Sequence, residues 1–177
     1  MKNALIILIS ATLILNFSEC KTQNNMKIDN TTVQKLDIQR FLGLWYEIGR
    51  LPNSFEKDLV GVTANYSLKE NGRIQVLNQG YLKSLNGTLK SAKGKAKLTE
   101  QTGKLKVSFF LFFYADYNVM ELDQDGYQWA LIGSSTPKYL WILSRNPSIS
   151  EELYKDILQK ARERGYDTTK IYKVLQN

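Results

Sequence analysis

Few side chains in this sequence are equipped for bond-making chemistry, and they do not form catalytic sets. The 177 residues include one cysteine and no histidine. Without histidine there is no ordinary base to activate a serine and no imidazole ligand for haem or zinc. The one thiol, Cys20, supports neither an internal disulfide nor a cysteine-based zinc site. No metal and no cofactor is expected. An acid–base reaction at a carboxylate such as Glu47 is the enzymatic reading that survives, and it is weaker than a non-catalytic binding role. The better candidates are polar groups set among apolar ones. Tyr66 lies in Val62–Leu68, where even positions are apolar or aromatic, and Asn78 shares its face with Ile74 and Val76. Each reads equally well as a ligand contact or as a satisfied core residue.

The elements that must hold these residues begin after a distinctive N-terminus. Lys2 precedes the run Ala4–Leu15, which is apolar but shorter than the roughly 20 residues of a membrane span. It reads as a signal peptide over residues 1–19. Cys20 follows directly, a placement that resembles a bacterial lipoprotein signal, in which the cysteine is lipidated and anchors the mature chain. Glu19 departs from the small residues usual before such a cysteine, and the alternative is a secreted protein with an incidental thiol. Residues 21–35 are polar and aperiodic and are expected to form a flexible tether.

From Leu36 onward, turn signals recur at short intervals, among them Asn71-Gly72, Asn86-Gly87 and Asp125-Gly126. The segments between them alternate with period 2. This predicts an all-β fold, an antiparallel up-and-down meander of eight strands near 43–51, 60–69, 73–82, 88–99, 104–113, 117–123, 127–134 and 139–145. The connection over 52–59 is the longest and is a candidate loop over an open end. Leu153, Tyr154, Ile157, Leu158 and Ala161 form one apolar stripe, predicting a single helix packed outside the sheet. Its start is either a Ser148/Glu151 capping box or a Ser150 cap, and Gly165 suits its end. Residues 170–175 could add a short edge strand. The inward positions mix Gly and Ala with Tyr, Phe and Trp. Eight strands can enclose one small ligand, so a cavity competes here with a filled core.

Two segments carry a resemblance. Phe41-Leu42-Gly43-Leu44-Trp45-Tyr46-Glu47-Ile48 resembles the Gly-x-Trp motif that opens the first strand of lipocalins. Tyr139–Pro147, containing Arg145, resembles the family's arginine motif ahead of the helix. The middle motif departs from pattern, since Leu122-Asp123-Gln124 keeps only the acid. The resemblance covers residues 36–177, and within it Ala64-Asn65-Tyr66-Ser67-Leu68 and Tyr139–Arg145 point to the bacterial branch, similar to apolipoprotein D. It implies a lipocalin barrel over that range, closed at its base by a Trp45–Arg145 cation–π pair. It further implies an outer-membrane lipoprotein at the cell envelope, facing the periplasm, that stores or transports a fatty acid or lysophospholipid; the alternatives are a binder of another small hydrophobic ligand or a structural envelope protein. If Trp45 and Arg145 face inward, Glu47, Tyr139, Trp141 and Leu143 do so by parity. Glu47 then either pairs with Arg145 or another inward group, or orients a ligand headgroup. Phe109, Leu111 and Phe113 would supply apolar wall, and the run 109–114 could reach the rim and touch membrane.

The net charge is +7 and survives removal of residues 1–19, which hold one Lys and one Glu. Lysines 90, 93, 95, 97, 104 and 106 read as one basic face. Export argues against nucleic acid as its partner, leaving anionic lipid headgroups or solvent. A homodimer stays open.

Overall fold

The computed structural model describes residues 27–177. The signal segment and Cys20 lie outside the described residues. Eight strands follow one another as an antiparallel meander: β1 (Gly43–Arg50), β2 (Leu59–Leu68), β3 (Ile74–Leu82), β4 (Leu89–Leu98), β5 (Lys104–Phe110), β6 (Phe113–Leu122), β7 (Trp129–Gly133) and β8 (Leu140–Ser144). Each pairs with the next, and β1 pairs with both β2 and β8, so the sheet closes into a barrel. Closure removes the unpaired edges that would otherwise recruit other chains.

β1 is shared along its length. Gly43–Tyr46 pair with β2, but beyond that the two strands diverge, and a short β9 (Tyr172–Lys173) takes the freed edge at Gly49 and Arg50. The tail then threads the gap. The Val174 N–H donates to the Ile48 carbonyl, the Gly61 N–H donates to the Leu175 carbonyl, and Gln176 Nε2 donates to the carbonyls of Glu47 (2.6 Å) and Val62 (3.0 Å).

Alternation sorts the strands' side chains into two cores. Inside the barrel lie Trp45, Tyr66, Ile74, Val76, Leu105, Tyr117, Val119 and Ile132. Outside, Ile48, Leu131, Leu140 and Ile142 pack beneath α2 (Glu151–Glu163) against Ile157 and Ala161. This explains why β7 and β8 are buried on both faces. The Ser150 hydroxyl accepts from the Leu153 N–H at 3.1 Å, which makes Ser150 the cap. Gly165, at φ +88°, follows the helix in a conformation that L side chains resist.

Three sequence expectations need correction. Residues 27–35 are no free tether: they strap the barrel, with Thr32 buried, its hydroxyl donating to the Thr102 carbonyl, and the Val33 N–H donating to the Val119 carbonyl. The fifth strand does not reach residue 113, because the chain turns at Leu111-Phe112 and β6 begins at Phe113. A short helix, α1 (Ile38–Phe41), was not foreseen. Asp37 caps it by accepting from the Gln39 and Arg40 N–H groups. All these elements lie within the described residues.

Candidate functional site

The barrel encloses a cavity of about 710 Å³. It is sealed at one end by α1. Phe41 is fully buried there, and its carbonyl accepts from Trp45 Nε1 at 2.8 Å. The Arg145 guanidinium lies 3.7 Å over the Trp45 ring and donates to the carbonyls of Leu44, Arg40, Phe41 and Leu42. These include the carbonyls a helix end leaves without partners. The charge thus closes the base and does not reach the cavity, and partial burial lowers the Arg145 pKa below its usual value.

Alternation builds the walls. Ala64, Val76, Ala92, Val107 and Leu143 point inward from five strands, with Phe109 nearer the mouth. Small residues make the room: a Cβ on Gly94 would come within 2.7 Å of the Phe109 ring. Tyr66 and Tyr117 sit low in the barrel, their hydroxyls 2.7 Å apart, and burial raises both phenolic pKa values. Asn78 lies on the same inner face of β3, and its Oδ1 has no hydrogen-bond partner among the described residues.

The polar centre of the cavity is a network that sequence reading found only in part. Glu47 is buried and accepts from the Arg50 guanidinium at 2.6 Å. Its partner is therefore Arg50 and not Arg145. Arg50 also donates to the carbonyls of Glu56 (2.7 Å) and Leu59 (3.0 Å), tying the end of the connection to the start of β2. Glu56 in turn accepts from Asn53 Nδ2 at 2.6 Å and from Trp141 Nε1 at 3.0 Å. Arg50 thus binds one carboxylate, that of Glu47, and reaches Glu56 only through its main-chain carbonyl, while the Glu56 carboxylate stands close enough to Glu47 to repel it. Burial is the largest influence on Glu47, followed by repulsion from Glu56; together they outweigh Arg50 and push its pKa up to about 8. Strict alternation places Arg50 on the face opposite Glu47. A β-bulge between Glu47 and Gly49 shifts that parity, and nothing in the sequence marks it.

The other candidate residues fall in different places. Trp141 lines the cavity beside Phe55 and Glu56, as the 51–58 connection crosses the mouth. Tyr139 precedes β8 at the rim, stacked 6.0 Å from Trp141 and 5.8 Å from Phe55, so it borders the entrance and not the cavity wall. Leu111 and Phe113 are exposed at the β5–β6 hairpin and contribute no wall. Lys90 turns toward the cavity mouth with Lys57, leaving the outer basic face to the other lysines. Among the described residues, no group of acidic or thiol side chains is placed to hold a metal.

With this geometry in place, comparison with known proteins is specific. Residues 36–176 match the lipocalin-like domain. The chain is 40% identical to an outer membrane lipoprotein Blc of Vibrio cholerae over 81% of this chain and 85% of that one. It is 43% identical to the protein of the same name in Escherichia coli over 82% of each. Mouse apolipoprotein D is 40% identical over 84% of each chain. Among solved structures, insecticyanin from Manduca sexta superimposes with a TM-score of 0.67 at 19% identity, covering 84% of this chain and 85% of that one, a likeness of fold alone. A ligand-sized cavity, an arginine-sealed base and these relatives agree: the chain belongs to the lipocalin family.

Proposed function

We propose that the protein holds one amphipathic lipid, a fatty acid or a lysophospholipid, in its barrel at the bacterial cell envelope. The observation that carries this reading is the cavity itself. Its volume of about 710 Å³ falls within the roughly 300–1,000 Å³ of sites that take a single small ligand. Its apolar walls favour an acyl chain at roughly 25 cal/mol per Å² removed from water. That contribution is insensitive to headgroup, so selection falls to Glu47, Tyr66 and Asn78 inside and to Trp141 and Tyr139 at the entrance. Phe109 supports the chain. Lipocalins are in general binding proteins and not enzymes, and the Glu47 carboxylate is already engaged by Arg50. The bacterial relatives are named outer membrane lipoproteins, which supports lipidation of Cys20 and an outer-membrane location; the periplasmic face is part of the proposal.

The test uses the chain from Lys21 onward, delipidated and titrated with palmitate and with a lysophospholipid while tryptophan emission is followed. Saturable one-to-one quenching by either supports the reading, and the tighter ligand identifies the headgroup. Absence of binding by both overturns it. Separately, Cys20→Ser in the full chain should move the protein from the membrane fraction to the soluble one.

A further inference from the structure

We propose that the cavity mouth docks on an anionic lipid bilayer through the tip of the β5–β6 hairpin, with Phe110, Leu111, Phe112 and Phe113 entering the interface and Lys93, Lys95 and Lys97 meeting the headgroups. The inference goes beyond the lipid-carrier reading and rests on different residues.

The tip is unusual for a protein surface in water. Two-residue hairpin turns favour Asn-Gly or Asp-Gly, because their backbone enters the left-handed region. Here the turn is Leu111-Phe112, with Leu111 at φ +46°. Four consecutive apolar side chains stand out: Phe110 is 66% exposed, Leu111 61%, Phe112 85% and Phe113 75%. Phe110 and Phe113 stack across the hairpin at 6.3 Å, and the buried Ser108 hydroxyl lies 3.4 Å from the carbonyls of Phe110 and Leu111. A contiguous apolar projection of this kind marks a contact surface.

The charge beside it selects the occupant. Lys95 Nζ lies 5.9 Å over Phe112 and 5.6 Å over Tyr114, and Lys97 Nζ lies 4.7 Å over Tyr114. On the neighbouring strand, Lys104 and Lys106 both pair with Asp116. Lys93, Lys95 and Lys97 have no acidic partner within salt-bridge distance among the described residues. An apolar tip flanked by uncompensated cations fits acyl chains beneath anionic phosphates. A second copy of the chain would bring the same positive charges against these. The tip is also continuous with the site, since Phe109 lines the cavity one residue before it. A lipid leaving the barrel there meets an apolar surface without crossing bulk water.

The test is vesicle flotation of the chain from Lys21 onward, which lacks Cys20. Vesicles of phosphatidylcholine alone are compared with vesicles that also contain phosphatidylglycerol. The protein should float with the anionic vesicles and be released by salt. Phe112→Ser/Phe113→Ser should lower partitioning about tenfold or more. Lys93→Gln, Lys95→Gln and Lys97→Gln should each lower it roughly fivefold. The serine variant should still titrate with lipid as wild type does, which separates failure of docking from failure of the cavity. Wild type that stays free of anionic vesicles at low salt overturns the proposal, as does a serine variant that floats equally well. A solution dimer dissolved by the serine substitutions, without vesicle binding, assigns the tip to self-association instead and overturns it too.

Discussion

Trp141 donates its indole N–H to the Glu56 carboxylate at 3.0 Å, a bond between residues 85 apart in sequence. It fixes the 51–58 connection across the cavity mouth to β8 on the barrel wall. The indole therefore has two tasks, apolar contact inside and restraint of the loop. Trp141→Ala should weaken lipid binding about tenfold, near 1.4 kcal/mol, with little change in the thermal midpoint. Trp141→Phe keeps much of the contact but not the bond, and should fall between. Titration of both variants checks this; unchanged affinity in Trp141→Ala removes the residue from the site.

Trp45 belongs to the base of the barrel. It is fully buried between Phe41 and Arg145. Trp45→Ala should cost about 3–5 kcal/mol of stability in a urea titration. Arg145→Ala removes the cation–π contact and the donors to the α1 carbonyls, and should cost about 2 kcal/mol. Lipid affinity of the folded fraction should change little in either. A large loss of affinity with stability intact would place the pair at the ligand.

Glu47 makes stability depend on pH. Its ordinary value is 4.5, and burial with Glu56 nearby raises it to about 8 in the folded protein. Between these values the native state holds a proton that the unfolded chain has released. The contribution is therefore full below pH 4.5, declines as pH rises toward 8 and is level above it. Urea midpoints should fall across that window in wild type. Glu47→Gln, neutral throughout, should show a flatter profile, and identical slopes would exclude Glu47 as the source.

The Tyr66–Tyr117 hydroxyl pair predicts a non-additive cycle. Tyr66→Phe leaves the Tyr117 hydroxyl buried without this partner and should cost about 1–3 kcal/mol. Tyr66→Phe/Tyr117→Phe removes both hydroxyls and should recover part of that loss. Strict additivity in chemical denaturation would show that the hydroxyls act independently.

The barrel was legible because alternation and Asn-Gly and Asp-Gly turns are local signals. All eight strands and the helix stripe follow from neighbours a few residues apart. The hairpin at Leu111-Phe112 was misplaced because it lacks the residues such a turn usually requires. The Arg50 partnership escaped because a bulge reverses the face its position implies. Thr32 and Val33 read as tether because their partners, Thr102 and Val119, are distant in sequence. At the site, strand parity assigned Glu47, Trp141 and Leu143 to the interior. It could not follow Tyr139, which precedes the first residue of β8, or Glu56, which lies in a loop with no parity to read.

The tail woven between β1 and β2 has a bearing on the order of events during synthesis. Gln176 reaches the Glu47 carbonyl across 129 residues of sequence. On a chain made from its amino end, the first strand is finished long before the segment that clasps it exists. Hairpins from β2 to β8 can assemble as they emerge, since each pairs with its neighbour. The seam has to wait for the final residues, and contacts so distant along the chain close late. Until then the divergent half of β1 is an unpaired edge, and a carboxy-terminal truncation of a few residues would make that interval permanent.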